Sequence, residues 1–238
     1  MNLVELTAAW LTDPAHWAGA AGIPNRLLEH LLLSAVALGI AAAIAIPVGI
    51  YVGHTGRGVA VSANAANVGR ALPSLAVIAI VLPITAAFDP QAGFRLYPTL
   101  IAMVVLALPP ILVNTQTGIR EVDRDLVEAA RAMGMRPSQV VRGVELPLAA
   151  PAIASGLRSA AVQIVATATL GALFGGGGLG RYLVEGIAQR NEGMVFGGVV
   201  LVAALALIVE GAFVVLERVI RSPGLARMDG SRAAAGPA

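Results

Sequence analysis

Apolar runs long enough to cross a bilayer recur five times along the chain, and only one of the polar segments between them is long. The first run covers residues 30–53, from His30 to Gly53. The second covers 71–88 and is approached by a weakly polar stretch from Val59 to Gly69. The third covers 96–119. The fourth runs from Pro151 to Phe174, with Arg158 near its start. The fifth runs from Val195 to Leu216 and carries Glu210. A helix needs about 20 residues to cross the hydrocarbon layer, and each run is near that length. The pattern predicts an all-α membrane protein, a polytopic bundle of about five transmembrane helices. The runs are continuous in Ala, Leu, Val and Ile, without the alternating segments of about ten residues that mark a β-barrel.

Residues 3–17 are too short and too mixed to span. Leu3, Leu6, Trp10 and Trp17 predict an interfacial helix anchored by indole rings, so residues 1–29 are expected to form an N-terminal interfacial segment. The first thirty residues lack a basic n-region and are interrupted by Pro14 and Pro24, which predicts no cleavable signal peptide. Residues 30–220 form the expected transmembrane domain. Residues 221–238, rich in Gly, Ala and Pro, are expected to be a disordered cytoplasmic tail.

Composition strengthens the membrane reading. Hydrophobic residues make up 57% of the chain and charged residues only 13%, about half the charged share of soluble domains. All 16 basic residues are Arg, and they sit at the ends of the apolar runs, so the high pI of 9.7 gives no argument for nucleic acid. Five spans put the termini on opposite sides. One side then holds twelve arginines: Arg57, Arg70, Arg120, Arg124, Arg131, Arg136, Arg142, Arg158, Arg218, Arg221, Arg227 and Arg232. The other holds four: Arg26, Arg95, Arg181 and Arg190. The positive-inside bias predicts N-out, C-in, with the 118–150 loop cytoplasmic. There is no cysteine, so disulfide and thiol chemistry are excluded.

The long polar segment has the signals of two short helices. Asp123 suits an N-cap before Arg124, and Val122 and Val127 fall at the positions of a hydrophobic staple. Leu126, Ala130 and Met133 recur at helical spacing on one face. Gly134 stops this helix as a C′ glycine. Pro137 suits the first turn of a second helix running towards Val144, and Leu146-Pro147 is expected to end it and redirect the chain into the fourth span. The small pair Ala129-Ala130 would admit a close partner surface. A connector of about thirty ordered residues is longer than most helix–helix links, which points to an interaction element.

These residues carry a resemblance. Glu128-Ala129-Ala130, three residues, Gly134, nine residues, Val144, one residue, then Leu146-Pro147 is similar to the cytoplasmic coupling loop of binding-protein-dependent ABC importer permeases, with Val where Ile is commoner. The likeness extends over about residues 28–218. Ala71-Leu72-Pro73-Ser74-Leu75, Asn114-Thr115-Gln116-Thr117-Gly118-Ile119 and Gly175-Gly176-Gly177-Gly178-Leu179-Gly180 resemble the osmoprotectant branch, which handles glycine betaine, choline, carnitine and proline. The resemblance implies a type I importer permease fold in a bacterial cell membrane. It also implies that Glu128, Ala129, Ala130, Gly134, Val144, Leu146 and Pro147 dock on an ATPase subunit. The further partners it implies are an extracytoplasmic substrate-binding protein and a second permease copy, identical or related.

Other residues are weighed against plainer roles. Gly175, Gly177 and Gly180 fit G-x-G-x-x-G, but they follow a span and not a strand, so a flexible turn is the better reading than a dinucleotide site. With Pro73 they are gate or hinge candidates. Ser74, Asn67, Asn114, Gln163, Thr167 and Thr169 could line a path or simply bond between helices. Glu210, an acid within an apolar run, is either a structural partner for a residue such as Arg158 or a transport group. Pro47, Pro73, Pro83, Pro109 and Pro110 kink their spans. His16, His30 and His54 have no metal-ligand spacing, and no cofactor is expected. With aromatic content at 4%, an aromatic cage for a quaternary ammonium is expected on a separate binding protein.

A Walker A loop needs a Lys, and the chain has none, so ATP must be bound by another polypeptide. A stand-alone secondary transporter or channel is the competing class. It would call for inverted repeats and intramembrane ion pairs, and it leaves the loop unexplained. An intramembrane enzyme lacks any nucleophile–base set.

Overall fold

The first helix, α1 (Leu3–Thr12), begins at a capping box in which Asn2 and Glu5 satisfy each other's backbone N–H groups at 2.9 and 3.0 Å. In this computed structural model the described residues are 2–220, the Arg70 side chain excepted; the tail expected to be disordered lies outside them. Ten further helices follow: α2 (Ile23–Thr55), α3 (Val59–Ala71), α4 (Ser74–Phe88), α5 (Ala92–Arg95), α6 (Tyr97–Arg120), α7 (Arg124–Ala132), α8 (Pro137–Val140), α9 (Leu146–Ala168), α10 (Gly180–Ala188) and α11 (Glu192–Ile220). No strand occurs among the described residues.

Among the described residues, four helical stretches are long and apolar enough to cross a membrane, and α3 with α4 can make a fifth if the bent pair counts as one span. The core is the packing of α2, α6 and α9. Ala37, Ala41, Ala45, Met103, Ala107 and Ile164 meet there, each 0–2% exposed. Small side chains let the backbones come close, which is how helices gain contact in a solvent as apolar as themselves. α11 packs on α9 and α10, with α1 lying across it.

The structure corrects several expectations. The first span starts at Ile23, not His30, and its 33 residues reach about 50 Å. Arg26 and Glu29 lie in the first two turns of this helix and pair with each other at 2.8 Å. Trp10 is no interfacial anchor: it is 6% exposed, edge-on to Tyr182 at 5.0 Å and stacked on His16 at 4.5 Å. Gly193 and Gly197 of α11 make the notch that receives it; a Cβ on Gly197 would collide with the indole. Trp17 alone stays half exposed.

The second span is not one straight helix. Leu72 and Pro73 are extended, as the residue before a proline prefers, and α3 and α4 meet at 93°. The 15 residues of α4 reach about 22 Å, short of the hydrocarbon thickness of about 30 Å. α3 instead lies on α6. Ser62 donates to the Gln116 side chain, and Gly69 leaves room for Pro109, whose Cγ would stand 2.6 Å from an added Cβ.

Leu146-Pro147 does not end a helix. A single helical run continues from Pro137 to Phe174, through a π-turn at Val141–Glu145 and a closing 3-10 turn at Thr169–Phe174. Pro147 has no N–H and its ring would crowd the carbonyl of Gly143 in an α-helix. The π-turn widens the coil by one residue, with Leu146 N–H reaching Val141 O.

The chain is naturally free of cysteine, so the expected orientation can be tested by single cysteines. Gly93 is unsuitable, because a side chain there would collide with the Thr85 carbonyl; Gln91 is exposed. Gln91→Cys should react with an impermeant thiol reagent from outside intact cells, and Ser138→Cys only after lysis. Reversed labelling would overturn the N-out orientation.

Candidate functional site

The polar loop folds as α7, a tight turn and α8. Asp123 accepts from Asp125 N–H at 2.9 Å and so caps α7. At the other end, Met135 N–H reaches Ala130 O at 3.2 Å and Gly134 N–H reaches Arg131 O at 2.9 Å. This is a Schellman stop with Gly134 at φ +85°. A Cβ on Gly134 would meet nothing within 4 Å in the chain itself. The Gln139 side chain accepts from Arg136 N–H at 2.7 Å and holds the start of α8.

The loop has an inner and an outer face. Ala130 is 2% exposed, Val122 9% and Val140 0%, and these three seat it on the bundle. Ala130 therefore packs inward, and of the small pair only Ala129 is presented. Leu126 is 49% exposed and Met133 77%, an apolar pair on the solvent side. Glu128 and Gly134 are exposed, Val144 and Leu146 half-buried, and Pro147 exposed on the π-turn side. Among the described residues, Arg124, Arg131, Arg136 and Arg142 form no ion pair.

Beneath α7 lies a polar cavity of about 300 Å³, reached by Glu128, Arg124 and Arg131 from the loop. Its floor is a hydrogen-bonded pair that sequence reasoning missed. His54, in the last turn of α2, holds both carboxylate oxygens of Glu145 through Nδ1 at 2.7 and 2.9 Å. Glu145 is 4% exposed and belongs to the π-turn. The residues lie 91 apart, so no local spacing could reveal them.

At the other end of α2, side chains of that helix hold the Gly175–Gly180 turn. Gly178 N–H donates to Glu29 Oε2 at 2.8 Å, and Leu179 N–H to His30 Nδ1 at 3.3 Å. His30 is 1% exposed and gives its Nε2–H to Val165 O at 3.0 Å, a neutral tautomer fixed by both partners. Side chains at Gly177 and Gly180 would collide with Glu29 and with the Thr169 carbonyl. Tyr182, which follows, donates to Ala21 O at 2.7 Å, and burial pushes its phenol up to about 12.

The chain matches the family of binding-protein-dependent transport system inner membrane components over residues 45–222. It belongs to that family. The choline transport system permease protein OpuBB of Bacillus subtilis is 34% identical over 123 residues, 52% of this chain and 54% of that protein. The carnitine transport permease protein OpuCD of Listeria monocytogenes is 36% identical over 126 residues, 53% of each chain. The chain thus spans about half the length of the curated relatives it matches. Among solved structures, an inward-facing MetNI methionine ABC transporter superposes with a TM-score of 0.71 at 26% identity, covering 82% of this chain and 94% of that one. The chain is accordingly a multi-pass inner membrane component.

The structure does not gather all the expected polar residues. Asn114 bonds its own helix, Nδ2 to Pro110 O at 2.8 Å, and packs on Gly156. Thr169 bonds back to Ala166 O at 2.7 Å. Thr167 is buried at 7% exposure, Ser74 and Gln163 are half-buried, and Asn67 is exposed. None of the six lines the cavities at the two ends of the bundle. Pro73 sits at the break between α3 and α4. Glu210 lies 3.3 Å from Arg158, which also reaches Glu217 at 3.2 Å, tying α9 to α11. No cluster of three or more metal-ligating side chains occurs among the described residues.

His54→Ala should leave the buried Glu145 carboxylate without its partner and cost about 1–3 kcal/mol of stability. A lowered unfolding midpoint in detergent, partly restored by adding Glu145→Gln, is the expected result. An unchanged midpoint would remove the pair from the fold's support.

Proposed function

We propose that this permease is the membrane-spanning subunit of an ATP-driven importer for a small osmoprotectant such as glycine betaine, choline, carnitine or proline. The observation that carries the reading is the construction of the loop. It is anchored inward by Ala130 and Val140, stopped by a Schellman turn, and presents Leu126, Met133 and uncompensated arginines outward. An isolated transporter has no use for such a surface. A partner with an apolar groove rimmed by acidic groups would cover it.

That partner is a separate ATPase subunit, on the cytoplasmic side of an N-out, C-in chain. The chain cannot bind ATP through a Walker A loop, having no Lys to reach the phosphates. ATPase closure displaces α7 and α8. The displacement passes along the continuous run into α9, and through His54–Glu145 into α2. Two permease copies, identical or related, enclose the path, with Pro73 and the Gly175–Gly180 turn as gate or hinge and Ser74, Asn67, Asn114, Gln163, Thr167 and Thr169 as candidates to line it. An extracytoplasmic binding protein delivers the solute. The names of the relatives, choline and carnitine permeases, support the substrate class.

Gly134→Asp and Glu128→Arg test the docking role. Because a side chain at Gly134 meets nothing within the chain, its direct cost to the fold is the left-handed backbone, roughly 1–2 kcal/mol. Both variants should insert at wild-type levels, lose co-purification of the ATPase, and lose uptake into vesicles. Wild-type uptake at equal expression would take the loop out of the mechanism.

A further inference from the structure

At the end of the bundle opposite the coupling loop, a cavity of about 480 Å³ opens between α2, the start of α6 and the glycine turn. Its charged lining is Arg26, Glu29, Arg95 and Arg181, and its apolar wall includes Leu33 and Leu96. Two of the three arginines are committed. Arg26 pairs with Glu29 at 2.8 Å, and Arg181 pairs with Glu185 one turn on. Arg95 has no acidic partner among the described residues. Its Nε–H donates to Gly175 O at 3.0 Å, which fixes the guanidinium plane and leaves the two terminal nitrogens unbonded. Glu29 takes both its hydrogen bonds on Oε2, leaving Oε1 without one.

A fixed guanidinium with free terminal nitrogens is shaped for a carboxylate held by two parallel bonds. A carboxylate oxygen in the same lining and an apolar wall suit a methylated ammonium group. We propose that this cavity is a low-affinity reception site for zwitterionic solutes, with Arg95 binding the carboxylate and Glu29 facing the quaternary ammonium. This rests on the importer reading and deepens it: Arg95 discriminates carboxylate-bearing solutes from choline, which has no carboxylate.

The test compares glycine betaine and choline uptake by the complete importer, with its ATPase and binding protein, in wild type and Arg95→Gln. The expected result is a rise of about tenfold in KM for glycine betaine with choline uptake unchanged, as for loss of a charge-assisted fork. Choline uptake in the same variant reports folding and coupling. Equal losses for both solutes would assign Arg95 to contact with an acidic side chain of the binding protein and overturn the proposal, as would no change in either. A second readout needs no transport. Leu96→Cys in the purified permease should be protected from a thiol reagent by millimolar glycine betaine but not by choline, and Arg95→Gln should abolish that protection. Absence of protection contradicts the reception site, whereas protection without any ATP-driven uptake contradicts only the importer reading.

Discussion

Helices α2, α6 and α9 can lie against one another only because small residues fill the seams between them. On α2, Ala37, Ala41, Ala45, Gly49 and Gly53 recur every four residues and form one ridge. A Cβ on Gly49 would stand 2.7 Å from Thr115 Cβ, and one on Gly53 2.7 Å from Ile119 Cβ. Between α6 and α9, a Cβ on Gly118 would stand 2.6 Å from Ala152 Cβ, and one on Gly156 2.8 Å from Asn114 Cβ. Lipid supplies no hydrophobic drive between helices, so this contact is what holds them. Widening the seam would move both ends of the bundle at once.

Everything with a plausible chemical role hangs from the two ends of that packed unit. At one end, α2 and α6 terminate beside the α7–α8 loop, and His54 joins the last turn of α2 to the π-turn that leads into α9. At the other end, Glu29 and His30 of α2 pin the glycine turn that follows α9. The same rigid pair of helices therefore meets the loop and the opposite cavity. The 93° break at Leu72-Pro73 separates α3 from α4, and α4 packs on α6 in its turn, with Val77 and Ile78 buried against Ala102.

Much of this was legible in the chain. Charge-free runs located the spans, because a bilayer penalises unpaired charge more strongly than any local propensity. Asp123, Gly134 and Pro137 marked the loop helices, because caps and turns are set by neighbours in sequence. What failed was non-local. Glu29 looked like a span boundary, yet its partners are Arg26 and Gly178. Pro147 looked like a stop, yet a π-turn absorbs it. Trp10 looked interfacial, because nothing local announces the notch at Gly193 and Gly197. The four-residue repeat of small residues from Ala37 to Gly53 was visible and would have identified the packing face of α2. The pairing of His54 with Glu145 was not visible, and neither was the convergence of Arg26, Arg95 and Arg181 on one cavity.

The importer reading is tested most directly by reconstitution. The protein would be placed in proteoliposomes with the proposed ATPase inside and the proposed binding protein outside, and uptake of labelled glycine betaine, choline, carnitine and proline followed with and without ATP. The expected result is ATP-dependent accumulation of at least one of these solutes, absent when either the ATPase or the binding protein is omitted. Accumulation by the permease alone, or none with the complete set, would contradict it.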